Sequence, residues 1–252
     1  MDFRQAVAVA GAALALGIAG QAQAGQLHGV VRLDGPRPEP AVITITATST
    51  EYSIEGCGAV TKPSQQLLVD RAGGIQNVVV WVDLPGAPRE AAVDMTATLD
   101  QHACVFEPHL VVLPIGGTLV IRNSDPVLHN VRIFQARTML MHEWQKPQDQ
   151  DLTWRFTEPG RYLVRCGVHA WMYAWVVIGD PARTGVTDAA GQFTLSGIPE
   201  GRYTLHVWHE TLGEREQPVT VTGEGSTVTI HVPEPGTPPA GGEPGTGKGG
   251  AT

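Results

Sequence analysis

An all-β fold is predicted, and three observations predict it. The chain has 30 glycines and 19 prolines among 252 residues, and only 17% of its residues are charged. That composition excludes coiled coils and long helical bundles, and the lack of a G-X-Y period excludes collagen. Apolar and polar residues alternate with period two along several stretches, and no segment carries a helical period. Turn signals then break these stretches at the short intervals expected of β-sandwiches.

Residues 1–24 read as a signal peptide. The only basic residue before the apolar run is Arg4, offset by Asp2. Ala6–Ala19 is too short and Ala-rich to span a bilayer comfortably, and Ala22-Gln23-Ala24 has the small-x-small pattern of a cleavage site. Gly25 would then open the mature chain; an uncleaved anchor is the alternative. No later run is long enough to cross a membrane, so no membrane span is expected in the mature chain, whose location would be periplasmic or secreted.

Strands follow in order. Ala41–Ala47, Leu152–Phe156 and Thr227–Val232 alternate, while Asn77–Val82 and Tyr173–Ile178 are unbroken β-branched or aromatic runs suited to burial on both faces. Turns fall at Asp34-Gly35-Pro36, Leu84-Pro85-Gly86, Glu158-Pro159-Gly160, Asp188–Gly191 and Pro199-Glu200-Gly201. Residues 233–252 form a Pro/Gly tail with no capacity for a core, expected to be disordered. The net charge of −8 argues against nucleic acid as a partner. It would steer a basic protein toward the surface.

The chemistry enters through three cysteines, Cys57, Cys104 and Cys166. In an oxidising compartment two of them pair and one is left over, and three pairings are open. Cys57 lies in a Gly-rich turn and Cys104 at the start of a strand, two residues after His102. Cys166 is different: in R-C-G-V-H-A-W-M it is followed by His169 and Met172 at steps of three, on a loop between strands Tyr162–Arg165 and Tyr173–Ile178. Thiolate and thioether are soft ligands, and zinc would take a fourth Cys, His or carboxylate in preference to Met. Two His, one Cys and a long axial Met make a blue-copper site. His129, after the strand Thr118–Arg122, supplies the second imidazole.

The stretch from about Ala92 to Gly179 resembles the cupredoxins of the plastocyanin and amicyanin group. The matching residues are Phe106–His109, Gly116-Gly117-Thr118, Asn123, His129-Asn130-Val131, Pro159-Gly160-Arg161-Tyr162 and Cys166-x-x-His169-x-x-Met172. The resemblance implies a Greek-key β-sandwich holding one type 1 copper ion, with His129, Cys166 and His169 equatorial and Met172 axial. It further implies that Asn130 restrains the thiolate by hydrogen bonding. In the family the downstream His opens to the surface through an apolar docking patch, for which Pro126, Ala170 and Trp171 are the candidates here. Multicopper enzymes carry a His beside the ligand Cys; here Arg165 and Gly167 flank Cys166, so an electron carrier is expected and not an enzyme. Met139, Met141 and His142 read as an incidental group, and His206 and His209, three apart on a strand, as structural. His28, His102, His109 and His231 have no discriminating context.

Gly185–His209 resembles the carboxypeptidase regulatory-like, or prealbumin-like, β-sandwich through T-D-x-x-G-x-F and P-x-G-x-Y. The linear organisation is then 1–24 signal peptide, 25–90 N-terminal β segment, 91–180 cupredoxin, 181–232 second smaller β-sandwich and 233–252 tail. Residues 26–47 look like opening strands of that second sandwich, with the cupredoxin carried between its halves; two sandwiches in sequence are the alternative. A Cys57–Cys104 disulfide is expected to staple the N-terminal segment to the cupredoxin in either arrangement. The function expected is single-electron shuttling to and from a redox protein, a cytochrome or a dehydrogenase or oxidase. Copper delivery, or a place as redox subunit of a larger oxidoreductase complex, are the alternatives.

Overall fold

The computed structural model describes residues 24–39, 41–44, 55–57, 61–84, 94–180 and 183–234. The expected signal peptide up to residue 23, the boundaries near 90 and 181, and the tail from 235 lie outside the described residues. Among the described residues one 3-10 turn, Glu55–Cys57, is the only regular element that is not a strand, and no helix is long and apolar enough to cross a membrane.

The chain opens with β1 (Ala24–Leu33), makes an excursion through β2 (Val42–Thr44), the 3-10 turn and β3 (Thr61–Pro63), and returns as β4 (Val79–Val82). Nine strands come next: β5 (Thr96–His102), β6 (Val105–Glu107), β7 (Leu110–Leu113), β8 (Thr118–Asn123), β9 (His129–Gln135), β10 (Thr138–Gln145), β11 (Leu152–Arg155), β12 (Gly160–Cys166) and β13 (Tyr173–Ile178). The last five are β14 (Thr184–Val186), β15 (Gln192–Pro199), β16 (Gly201–His209), β17 (Gly213–Val221) and β18 (Ser226–Val232).

β5 to β13 make one sandwich, from a sheet ordered β10-β9-β12-β13-β7 and a sheet ordered β11-β8-β5-β6. The period-two pattern of β12 shows why it forms. Tyr162, Val164 and Cys166 are buried between the sheets, while Arg161, Leu163 and Arg165 face outward. Phe106, Leu119, Ile121, Ile133, Phe156 and Val176 complete this core, each such side chain contributing roughly 1.5–3 kcal/mol on burial.

The second sandwich joins sheets β15-β1-β18 and β14-β4-β16-β17. β1 lies at the centre of its sheet, antiparallel to β15 and parallel to β18, and β4 lies between β14 and β16. The N-terminal strands therefore complete the C-terminal sandwich, and β5–β13 are carried between its two parts. Leu27, Val31, Ile75, Val80, Leu195, Leu205 and Ile230 form its core.

Local differences from the sequence reading have simple causes. Asn77 takes a left-handed backbone, φ 62°, so the expected strand 77–82 begins at Val79. Of the expected strand 41–47 only residues 41–44 are described, the strand there being Val42–Thr44, and Val42 is 62% exposed. Tyr173–Ile178 is buried on one face by its own core, and its other face, with Trp175 and Val177, packs on the second sandwich. There Trp175 meets Trp208 edge to face at 5.2 Å. Glu210 joins His109 Nε2 at 2.5 Å and accepts from Trp175 Nε1 at 3.0 Å.

Candidate metal centre

Three adjacent backbone devices build the site. β9 starts at His129, so its imidazole enters the sandwich at the strand end. β12 ends at Cys166, which pairs with Val131 across the ladder. The short loop to β13 closes on itself, Met172 N–H donating to His169 O at 2.9 Å and Cys166 N–H to Met172 O at 3.1 Å. This folds Cys166, His169 and Met172 onto one end of the core, where none is more than 4% exposed.

His129 Nδ1 lies 3.6 Å from Cys166 Sγ, His169 Nδ1 3.7 Å from the same sulfur, and the two Nδ1 atoms 3.1 Å from each other. A first-row ion about 2.3 Å from sulfur and about 2.0 Å from nitrogen, with roughly 120° between ligands, needs S···N edges near 3.7 Å. The donor set has that size. Two other groups of potential ligands, Cys57/Cys104/His169 and Cys104/Asp125/His129, use sulfurs committed to a disulfide.

The electrostatics favour a thiolate. Burial opposes ionisation of Cys166, but hydrogen bonds from His129, His169 and the backbone N–H groups of Asn130 and His169 outweigh it and bring the thiol down to about 5. Burial likewise opposes protonation of His129, yet its bond to Asp125 and the neighbouring thiol leave its pKa above the ordinary value. Asp125 Oδ2 receives His129 Nε2 at 2.9 Å and the Cys104 N–H at 2.8 Å. It is a residue the sequence reading missed. The only signal was an Asp in the N-S-D-P turn four residues before His129, a pattern common in turns.

Asn130 reaches the sulfur through its backbone. Its N–H bonds Cys166, its carbonyl accepts the Gly167 N–H at 2.7 Å, and its side-chain oxygen accepts from Arg132 Nε at 2.7 Å. Gly167 has to be small here: a Cβ would lie 2.3 Å from Asn130 Oδ1 and 2.6 Å from Arg132 Cζ.

The expected opening of His169 to the surface is corrected. Its imidazole is 1% exposed, because Cys57 of the N-terminal excursion lies against it, Sγ to Nε2 3.9 Å. Cys57 and Cys104 are joined in a disulfide. The Glu55–Cys57 turn packs so closely on Pro126 and Val127 that a Cβ on Gly56 would lie 2.8 and 2.5 Å from them. Trp171 is half-buried, its Nε1 donating to Cys104 O at 2.9 Å; only Pro126 and Ala170 of the expected patch are exposed. The expected disulfide brought Cys57 to this sandwich, but its place over His169 is a product of the fold, which alone joins residues 55–57 to 169. Met139 and His142 face outward on β10 while Met141 packs on the core, so these three do not converge.

Comparison with known proteins gives one family match: residues 172–233 fit the carboxypeptidase regulatory-like domain. No curated protein matches. Solved structures similar to the chain include a purple cupredoxin from Nitrosopumilus maritimus, 22% identical over 33% of this chain and 99% of that one, TM-score 0.30. Amicyanin in a reduced Cu(I) form is 24% identical over 40% of this chain and 98% of its own, TM-score 0.31. A copper-containing nitrite reductase from Thermus scotoductus SA-01 is 20% identical over 40% of this chain and 25% of its own, TM-score 0.32.

Proposed function

We propose that one copper ion would be held by His129 Nδ1, Cys166 Sγ and His169 Nδ1, with the thioether of Met172 as a further soft donor, and that the chain carries single electrons between redox proteins outside the cytoplasm. The observation that carries this reading is the meeting of two imidazole nitrogens and a buried, acidified thiol at edges of 3.1, 3.6 and 3.7 Å. The presence of Met172 on the same closed loop favours copper over zinc, since thioether is a soft ligand.

Bound copper would supply a one-electron Cu(II)/Cu(I) couple. The protein's part is to hold the donors still. Asp125 keeps the proton of His129 on Nε2 and so leaves the Nδ1 lone pair free for the metal. The N–H groups of Asn130 and His169 fix the sulfur, and burial of all four side chains excludes water. A set held this firmly favours a carrier over a delivery protein, which would need an exchangeable, accessible site. Arg165 and Gly167 leave no imidazole beside Cys166 to lead toward a second centre, in keeping with a carrier that is not an enzyme. The Cys57–Cys104 disulfide supports export, because such bonds persist in oxidising compartments. The partner class is a cytochrome or a dehydrogenase or oxidase.

The visible spectrum and metal content of the purified protein test the reading. One copper per chain and an intense thiolate-to-copper band, both lost in Cys166→Ser, are expected. A colourless oxidised copper form rejects it.

A further inference from the structure

The outer face of the five-stranded sheet is half covered. Trp175 and Val177 of β13 and Leu110 and Val112 of β7 lie under the second sandwich. Among the described residues no strand pairs over the other half, on β10, β9 and β12, where Met139, His142, Trp144 and Arg165 are exposed and Arg132, Phe134 and Leu163 half-buried, and its residues fall in cross-strand rows. His142, Arg132, Arg165 and Tyr173 stand side by side on four successive strands. Met139, Phe134, Leu163 and Trp175 form the next row. Trp144, 50% exposed, pairs with Asn130 on the other side of the first row.

Arg132 and Arg165 are directly opposite each other, a pairing of like charges that destabilises a sheet. Neither forms an ion pair among the described residues. The nearby carboxylates are engaged or turned away: Glu214 holds Arg161, Glu210 holds His109 and Trp175, and Glu143 pairs with the core residue Val131. A cationic, aromatic-rimmed patch thus stands on a chain whose net charge is −8. It is also next to the thiolate. Arg165 precedes Cys166 in the chain, and Arg132 bonds the side chain of Asn130, whose backbone N–H bonds the sulfur. The alternative exit at His169 is closed by Cys57 and Trp171.

Resting on the electron-carrier reading, we propose that this open half-face, centred on Arg132 and Arg165 with Met139, Phe134 and Trp144 around them, is the docking surface for a redox protein that presents an acidic patch. Positive charge steers and orients the acidic partner, and the aromatic and thioether groups supply the apolar contact. The partner expected here is opposite in charge to the basic one that net charge alone suggested. The electron would leave by way of Cys166, with no bond made or broken and no proton moved.

Stopped-flow oxidation of the reduced copper protein tests this with two probes, ferricyanide as an anion and tris(phenanthroline)cobalt(III) as a cation. Ferricyanide gains the electron as ferrocyanide. Arg132→Glu/Arg165→Glu should slow ferricyanide about tenfold and speed the cobalt complex, with one copper still bound and each rate compared at the variant's own midpoint potential, because Arg132 also bonds Asn130. Arg165→Glu alone, which leaves that bond in place, should change both rates in the same directions. Arg132→Gln/Arg165→Gln should give an intermediate loss and guards against misfolding of the reversed pair. Arg71→Glu/Arg202→Glu, which changes net charge equally at exposed sites elsewhere, should alter either rate less than about threefold. Poly-L-glutamate, a stand-in for an acidic protein surface, should slow ferricyanide with wild type and not with the Gln pair. Equal slowing by the two Glu pairs, with a normal band, overturns the docking face alone; absence of the band in wild type overturns the copper reading beneath it.

Discussion

Asp125 shows how much one side chain outside the donor set can decide. It is buried, it accepts from Cys104 N–H and it holds His129 Nε2. Asp125→Ala leaves both donors buried without an acceptor, at about 1–3 kcal/mol, and frees the imidazole to turn. Copper affinity should fall roughly 10- to 100-fold by competition titration, and Asp125→Asn, which keeps an acceptor oxygen, should recover most of it. Gly167 is the second case. Gly167→Ala should displace Asn130 and Arg132 from the sulfur side of the loop, because its Cβ would meet both below 3 Å. A shifted visible band with one copper still bound is the expected result. Three of the proposed donors could be picked out by spacing, since Cys166, His169 and Met172 share a stretch of seven residues. Asp125 was not, because turn aspartates are common and only the fold aims this one at an imidazole.

At the scale of the element, each sandwich begins a central strand with the same device. β12 and β16 both start G-R-Y, and each tyrosine hydroxyl donates to a backbone carbonyl four residues upstream: Tyr162 to Glu158 O at 2.8 Å, Tyr203 to Pro199 O at 2.9 Å. This ties the turn to the strand that follows, as in the tyrosine corner of other sandwiches. Tyr162→Phe and Tyr203→Phe should each cost about 1 kcal/mol in chemical denaturation, and the double variant should show the sum, because the two belong to different cores. Such strands were readable from alternation and turn residues. What alternation does not report is a strand's neighbours: β1 reads as an ordinary half-buried strand, and its central place between β15 and β18 is a matter of long-range pairing.

On the scale of the whole molecule, the two sandwiches are joined by a buried polar contact and a covalent staple. His209, at the interface, is pushed down to about 4 by burial, with Glu210 opposing and His109 adding to the shift. At pH 7 it is neutral in both folded and unfolded chains. Below about 6.5 the unfolded chain takes up a proton that the folded one refuses until about 4, so stability falls as pH drops through that window, by up to about 3 kcal/mol. Urea titrations at pH 7 and pH 5 measure this, and His209→Gln should lessen the dependence, the lowered Cys166 thiol contributing in the same direction in the metal-free protein. The staple closes a loop with sequence separation 47, worth about 4 kcal/mol in chain entropy. Cys57→Ser/Cys104→Ser should lose stability of that order and make His169 accessible, seen as faster reaction of the apoprotein with diethylpyrocarbonate.

The sequence by itself determined what depends on neighbours along the chain. Gly and Pro content, alternation and turn spacing made the protein all-β, and steps of three residues after Cys166 defined a soft donor set. Tertiary structure alone decided what depends on residues far apart. It set β1 between β15 and β18, brought β4 to the C-terminal sandwich and laid Cys57 over His169, closing the expected port. It also lined up Arg132 and Arg165 on adjacent strands as an open cationic face. The physical reason is that a local pattern says which side of a strand is buried, whereas pairing and register say against what.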